Sequence, residues 1–288
     1  MKSQIGVVGA GVIGRGVAQS FAAAGFPVVL LDLSEDVLVR AKQEMERALR
    51  FQSMLTKSAS KQDPGAVLSN IAFTSAYNLL DRVDLVIENV PEIPATKQQV
   101  YLLLDKTCPK ACIFAANTSA IPIARIASWT QRADRVIGAH FMNPVPLKPV
   151  VEVVRGAQTS EDTIAKLKEI LAGAGKEGIV VNDAPGFVSN RVLMLTINEA
   201  ISVVQDGVAT AEQVDKLFKT CFGHKMGPLE TADLIGLDTI VHTLNVLFDN
   251  FQDPKFHPCP LLLQMAGEGL YGRKSGRGFY CYTPERQG

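Results

Sequence analysis

The sequence lacks several signals that would each settle a broad class. It has no excess of either charge, with 29 Lys+Arg against 29 Asp+Glu over 288 residues. A generic nucleic-acid binder needs a basic surplus to displace counterions, so that class is excluded. No stretch approaches 18 consecutive apolar residues, so no membrane span is expected. Met1-Lys2-Ser3-Gln4 runs straight into a glycine-rich motif that a cleavable leader would destroy. A cytoplasmic location is therefore expected. The five cysteines (108, 112, 221, 259 and 281) are odd in number and scattered, which points to free thiols rather than a disulfide framework. Cys108 and Cys112 have no partner pair and no nearby histidine at ligand spacing, so no metal site is expected. What the chain does have is 47% apolar residues, enough for sizeable cores. Its length suits two domains.

The first part of the chain alternates strand-like and helix-like segments. Ile5–Gly9 is a short apolar run. Val12–Ala24 has helical spacing and stops at Gly25, and Val28–Leu33 is a second apolar run. Strand, glycine turn, helix and strand within about 30 residues make a βαβ unit. Residues 35 to about 61 read as a long polar helix, or a helical pair broken near Ser58–Ser60. Further apolar runs follow at Ile71–Thr74, Leu85–Val90, Ile113–Ala116, Val136–Phe141, Val150–Val154 and Ile179–Val181. The earlier ones are near-continuous, as in a sheet covered on both faces. Pro185 and Gly186 then break the pattern, and two domains, 1–183 and 184–288, are expected. Phe187–Gln205 reads as a helix with two apolar stripes: Val188, Val192 and Leu195 on one, Leu193, Ile197, Ile201 and Val204 on the other. One stripe suits a second subunit. Ala211–Thr220 and Gly236–Asn250 also read as helices.

Gly9-Ala10-Gly11-Val12-Ile13-Gly14 follows the first strand and opens the first helix. In such a motif the first glycine makes the tight turn and the second admits a pyrophosphate to the backbone. The third lets helix and strand pack closely, and the helix N-terminus faces the phosphates. Asp32 follows Gly14 by 18 residues, at the end of the second strand. An acid there accepts hydrogen bonds from a ribose 2′-hydroxyl and repels a 2′-phosphate, so NAD is expected over NADP.

Only four histidines are present. His140 ends the run Val136–Phe141, where parallel sheets place ligands. Glu152 lies between valines in Val150–Val154, a costly setting for an unpaired carboxylate. A turn containing Pro144, Pro146 and Pro149 can bring the two together. On these grounds alone a satisfied core histidine and an unrelated edge glutamate is the plainer reading.

The surrounding residues change that. His140–Val153 closely resembles the signature of the L-3-hydroxyacyl-CoA dehydrogenase family. So do Asn117-Thr118-Ser119, Asp183–Arg191, Met226–Glu230 and Gly272–Tyr280. The resemblance covers nearly the whole chain. It implies an α/β Rossmann-like N-terminal domain, an all-helical C-terminal domain that dimerises, and a site in the cleft between them. Carried over by position, it implies His140 as general base and Glu152 as the carboxylate that orients it. Ser119 and Asn190 would hold the substrate oxygen and the imidazole region. Glu92, Lys97, Ser119, Asn143 and Lys274 match positions that contact the nicotinamide cofactor. The chemistry agrees, since oxidising a secondary alcohol needs a base for the hydroxyl proton while hydride leaves carbon.

The chain departs from the family at one place. Two helix positions that contact coenzyme A in some members, a serine and a lysine, fall near Ala48 and Leu55; Lys57 is the nearest cation. Residues 38–62 still carry six basic side chains (Arg40, Lys42, Arg47, Arg50, Lys57 and Lys61) against Glu44 and Glu46. They fit either a solvated helix face or a footprint for CoA phosphates or an acidic acyl carrier protein. Residues 115–128, 175–201 and 221–240 also resemble a secondary-metabolite branch that makes hydroxymalonyl and methoxymalonyl extender units on a carrier protein. The expected activity is NAD-dependent oxidation of a short 3-hydroxyacyl thioester, on CoA or carrier protein, by a homodimer. The alternatives are a free sugar-acid dehydrogenase of the gulonate type and a non-catalytic, crystallin-like NAD-binding protein.

Overall fold

The computed structural model describes residues 2–55, 63–119 and 121–282. The chain divides into two compact units, Met1–Ala184 and Pro185–Gly288. In the first, β1 (Ile5–Val8), α1 (Val12–Ala23) and β2 (Val28–Leu31) form the βαβ unit that the sequence predicts. Next come α2 (Glu35–Leu55), α3 (Pro64–Ser69), β3 (Ile71–Thr74), β4 (Leu85–Glu88) and α4 (Pro94–Thr107). The expected break near Ser58–Ser60 lies outside the described residues. The unit ends with β5 (Ile113–Ala116), α5 (Ile123–Ala127), β6 (Val136–Phe141), β7 (Val150–Arg155), α6 (Glu161–Gly173) and β8 (Glu177–Asn182).

These strands form one sheet in the order β3-β2-β1-β4-β5-β6-β7-β8. Chain order reverses between β1 and β4, the switch point where such sheets leave a crevice at their C-terminal ends. Strands β1, β2, β4, β5 and β6 are buried along their whole length, as their mainly apolar sequences require. Val17 and Phe21 of α1 and Leu38 and Met45 of α2 pack in the same core. All pairings are parallel except β6 with β7, which is antiparallel. Only an antiparallel pair can be joined by so short a loop, and its register sets His140 directly opposite Glu152. The proline turn permits this pairing, while the ladder fixes it.

The second unit is largely helical: α7 (Ser189–Gln205), α8 (Ala211–Cys221), α9 (Pro228–Ile235), α10 (Leu237–Phe251) and α11 (Pro260–Gly267). Ile197, Ile201, Leu229, Ile240, Leu244 and Leu262 form its core. On α7 one expected stripe, Ile197 and Ile201, is buried, while Val188 before its first turn and Val192 are 54% and 59% exposed. One non-helical segment closes this helical unit. Residues 272–281 fold into a small bridged loop, with Gly272 paired to Arg277 and Arg277 to Cys281. The buried carboxylate of Asp233 holds that loop by accepting from the backbone N–H of Phe279 at 3.0 Å and of Tyr280 at 2.9 Å. A side chain at Gly278 would overlap Asp233, so the glycines of this motif serve close approach to a carboxylate rather than a helix. Among the described residues no helix is long and apolar enough to cross a membrane.

Candidate active site

The glycine motif forms the turn between β1 and α1. Gly9 sits at φ +93°, a conformation side chains resist, and a Cβ at Gly14 would overlap the Gly9 carbonyl oxygen. Around the Cβ position of Gly11 there is nothing within 4 Å, so a ligand can approach this backbone directly. Gly11 caps α1 without a side-chain hydrogen bond, which leaves the positive helix end to a ligand. Val12 is exposed and Ile13 half-buried on that first turn. Asp32 follows β2; its Oδ2 accepts from the Ala10 N–H at 2.8 Å and its Oδ1 from the Ser34 N–H at 3.1 Å. Each oxygen keeps a second lone pair for a ribose hydroxyl. A bare glycine turn, an uncapped helix end and a half-buried aspartate together fit a dinucleotide.

At the C-terminal end of β6, His140 Nδ1 lies 3.0 Å from Glu152 Oε2, with both side chains 9% exposed. A carboxylate at Nδ1 selects the tautomer with the proton on that nitrogen, leaving Nε2 as the acceptor. Ser119 Oγ lies 3.4 Å from Nε2. Ser119 follows β5, where Glu92 Oε1 accepts its N–H at 3.0 Å and also the Thr118 hydroxyl. The site thus gathers at neighbouring strand ends in the first unit.

Lys97 is completely buried. Its Nζ is 2.9 Å from both Glu88 carboxylate oxygens, 3.2 Å from the Asn117 carbonyl oxygen and 3.4 Å from Glu92 Oε2. Burial pushes the Glu88 carboxyl up, and the Lys97 ammonium opposes that shift. The Asn117 side chain donates to Asn89 Oδ1 at 2.8 Å and accepts the Phe141 N–H at 3.1 Å, fixing the strand next to His140. Sequence reasoning missed Glu88 and Asn89. The signal for Glu88 was present, since a carboxylate ending the apolar run Leu85–Ile87 is as costly as Glu152 among valines.

Asn143 is exposed and lines a cavity of about 460 Å³ with Val12, Gln19, Arg47, Ala48, Phe51 and Leu147. Arg15 and Glu44, paired as ions, also line it. Lys57 lies outside the described residues. Asn190 and Lys274 belong to the second unit: Asn190 is half-buried on the first turn of α7, and Lys274 is exposed and ion-paired with Asp238.

A parallel sheet with a dinucleotide turn, beside a His–carboxylate pair at the strand ends, defines a Rossmann-type oxidoreductase. Two family profiles cover nearly all of the chain. The 3-hydroxyacyl-CoA dehydrogenase NAD binding domain matches residues 4–184, and the C-terminal domain of the same family matches residues 186–282. The chain belongs to the 3-hydroxyacyl-CoA dehydrogenase family and is an NAD-dependent oxidoreductase of that type. It is 43% identical to a probable 3-hydroxybutyryl-CoA dehydrogenase of Bacillus subtilis, over 97% of each chain. It is 37% identical to the human mitochondrial hydroxyacyl-coenzyme A dehydrogenase, over 96% of this chain and 90% of that one. Among solved structures, M. tuberculosis FadB2 superposes with a TM-score of 0.92 at 37% identity, over 98% of this chain and all of its own.

Proposed function

We propose that the protein oxidises a short 3-hydroxyacyl thioester of coenzyme A to the 3-oxoacyl form, with His140 as the base. The observation that carries this reading is the His140–Glu152 pair at 3.0 Å with Ser119 on the opposite ring nitrogen. His140 Nε2 accepts the proton of the 3-hydroxyl. Glu152 stabilises the imidazolium that forms and keeps the ring in place. Ser119 donates to the substrate oxygen, and Asn190 is the second donor. NAD, when bound, supplies the hydride acceptor. The glycine turn (Gly9, Gly11, Val12, Ile13 and Gly14) with Asp32 holds its adenosine and phosphates, and Glu92, Lys97, Asn143 and Lys274 serve its nicotinamide half. Residues 1–183 act as the cofactor domain and 184–288 as the dimerisation domain. The exposed Val188 and Val192 support a homodimer.

The cavity between α1, α2 and the proline loop suits the thioester arm, since its lining is mainly apolar. The names of the relatives favour CoA as the carrier. Acyl carrier protein, and with it the extender-unit branch, is the second reading, favoured by Ala48, which gives the cavity no polar group. On the basic face of α2, Glu46 pairs with Arg50 at 2.5 Å, while Glu44 is taken by Arg15 of α1. The test is NADH formation from NAD with 3-hydroxybutyryl-CoA, the same acyl group on carrier protein, and free 3-hydroxy acids. Turnover of the CoA ester supports the proposal. A preference for the carrier-bound ester shifts it to the second reading. Turnover of free sugar acids alone, or of nothing, overturns both.

A further inference from the structure

We infer that Glu88 is a positioning residue for this reaction, acting through Lys97 and Glu92 on Ser119 and His140. The inference rests on the proposed roles of those two residues. Glu88 ends β4, in register with Val8 of β1 and Ala116 of β5. Its side chain is 1% exposed, and that of its partner Lys97 is 0%. A buried ion pair of this kind is replaceable by apolar residues without loss of stability, so stability alone gives no reason for it.

What the pair holds does give one. The Lys97 ammonium meets the Glu88 carboxylate at 2.9 Å, the Asn117 carbonyl oxygen at the end of β5 at 3.2 Å, and Glu92 Oε2 at 3.4 Å. Glu88 also accepts the Val90 N–H at 2.7 Å, which pins the turn leading to Glu92. Glu92 in turn holds the Thr118 hydroxyl and the Ser119 N–H. Ser119 Oγ then stands 3.4 Å from His140 Nε2. The contact to Glu88 is shorter and doubled, and the contact to Glu92 is single and longer. Glu88 therefore keeps Lys97 from closing onto Glu92. Without the Glu88 charge, Lys97 moves to Glu92 as its nearest remaining carboxylate, and Glu92 loosens its hold on residues 118 and 119. The carboxylate that never meets solvent sets the position of the hydroxyl that meets the substrate.

Two variants test this: Glu88→Gln, which removes the charge and keeps the shape, and Glu88→Asp, which keeps the charge on a shorter arm; Lys97 is present in both. The expected result for Glu88→Gln is a kcat lower by about 10²-fold, the usual effect of misplacing a reacting group by an ångström, with the KM for thioester little changed. Glu88→Asp recovers most of that loss. A substrate-free readout separates this inference from the proposed function. The chain has only four histidines, so ¹⁵N-histidine spectra resolve His140. Its Nε2 resonance is expected to shift in Glu88→Gln and to return towards the wild-type position in Glu88→Asp, whatever substrate the wild-type protein turns over. Wild-type kcat in Glu88→Gln overturns the inference, as does an unmoved His140 resonance in that variant or a Glu88→Asp variant no better than Glu88→Gln.

Discussion

In the N-terminal unit the buried carboxylates of Glu152 and Glu88 face His140 and Lys97, side chains that take up or carry protons. In the C-terminal unit the buried carboxylates of Asp215 and Asp233 face backbone N–H groups and tyrosine hydroxyls. Asp215 accepts from the N–H of Leu229 at 2.8 Å and of Glu230 at 2.9 Å, at the start of α9, and from the Tyr280 hydroxyl at 2.7 Å. Asp233 takes the Phe279 and Tyr280 N–H groups and the Tyr282 hydroxyl. Desolvation costs are of the same kind in both units. The partners differ: a carboxylate filled by backbone and hydroxyl donors fixes the chain, whereas one facing an imidazole or an ammonium also orients that group. Burial of an acid therefore identifies chemistry only together with its partner.

The largest test of this contrast is His140→Gln. Turnover is expected to fall by roughly 10²–10⁴-fold, the contribution of general acid–base catalysis, with NAD affinity and Tm nearly unchanged. Glu152→Gln is also expected to be slow, because an amide cannot stabilise the imidazolium. Steady-state kinetics with a short 3-hydroxyacyl-CoA measure both, and wild-type rates in either variant would break the comparison. Next in size is cofactor choice. Like charge at Asp32 is expected to make kcat/KM with NADP about 10²-fold lower than with NAD. Equal values would remove Asp32 from the ribose site.

The smaller effects lie in the C-terminal unit. Asp215→Asn is expected to cost about 1–3 kcal/mol of stability through loss of hydrogen bonds to a buried acceptor, with kcat per folded molecule retained. Denaturant unfolding and active-site titration check this; a fall in kcat without a fall in stability would put chemistry where the comparison has none. Two acids in this unit should bend the pH profile in opposite directions. Burial raises the Asp233 carboxyl, so its contribution is largest in acid and falls as pH rises through the raised value. The Lys219 hydrogen bond lowers Glu230, so its contribution is present above the ordinary carboxylate range and is lost as pH falls through the lowered value. Tm measured across the carboxylate range is expected to rise less with pH in Glu230→Gln and more steeply in Asp233→Asn. Parallel profiles for the two variants would contradict the assigned signs.

Much of the first unit was legible because its determinants are local. The glycine turn, Asp32 and the apolar runs that became β1 to β8 depend on short-range spacing. The motif at 226–230 was legible only as a likeness. Its reason is tertiary: Asp215 caps the N–H groups of Leu229 and Glu230, and Glu230 reaches back to the Gly227 N–H. The loop at 272–281 was read as part of a helical domain because the carboxylate that shapes it, Asp233, lies some 46 residues away in sequence.

By itself the sequence determined the βαβ unit, the dinucleotide turn and the switch in pattern near Pro185. These follow from backbone propensity and hydrophobic period, which act over a few residues. His140 and Glu152 stood out as a pair only through the family resemblance. The tertiary structure alone decided that β7 runs against β6, so that His140 and Glu152 face each other across one ladder. It also decided that Lys97, reached from α4, ties two strand ends together beneath Ser119. Hydrogen-bond register and the partnering of buried charge are properties of packed neighbours, and neither is encoded in any single segment.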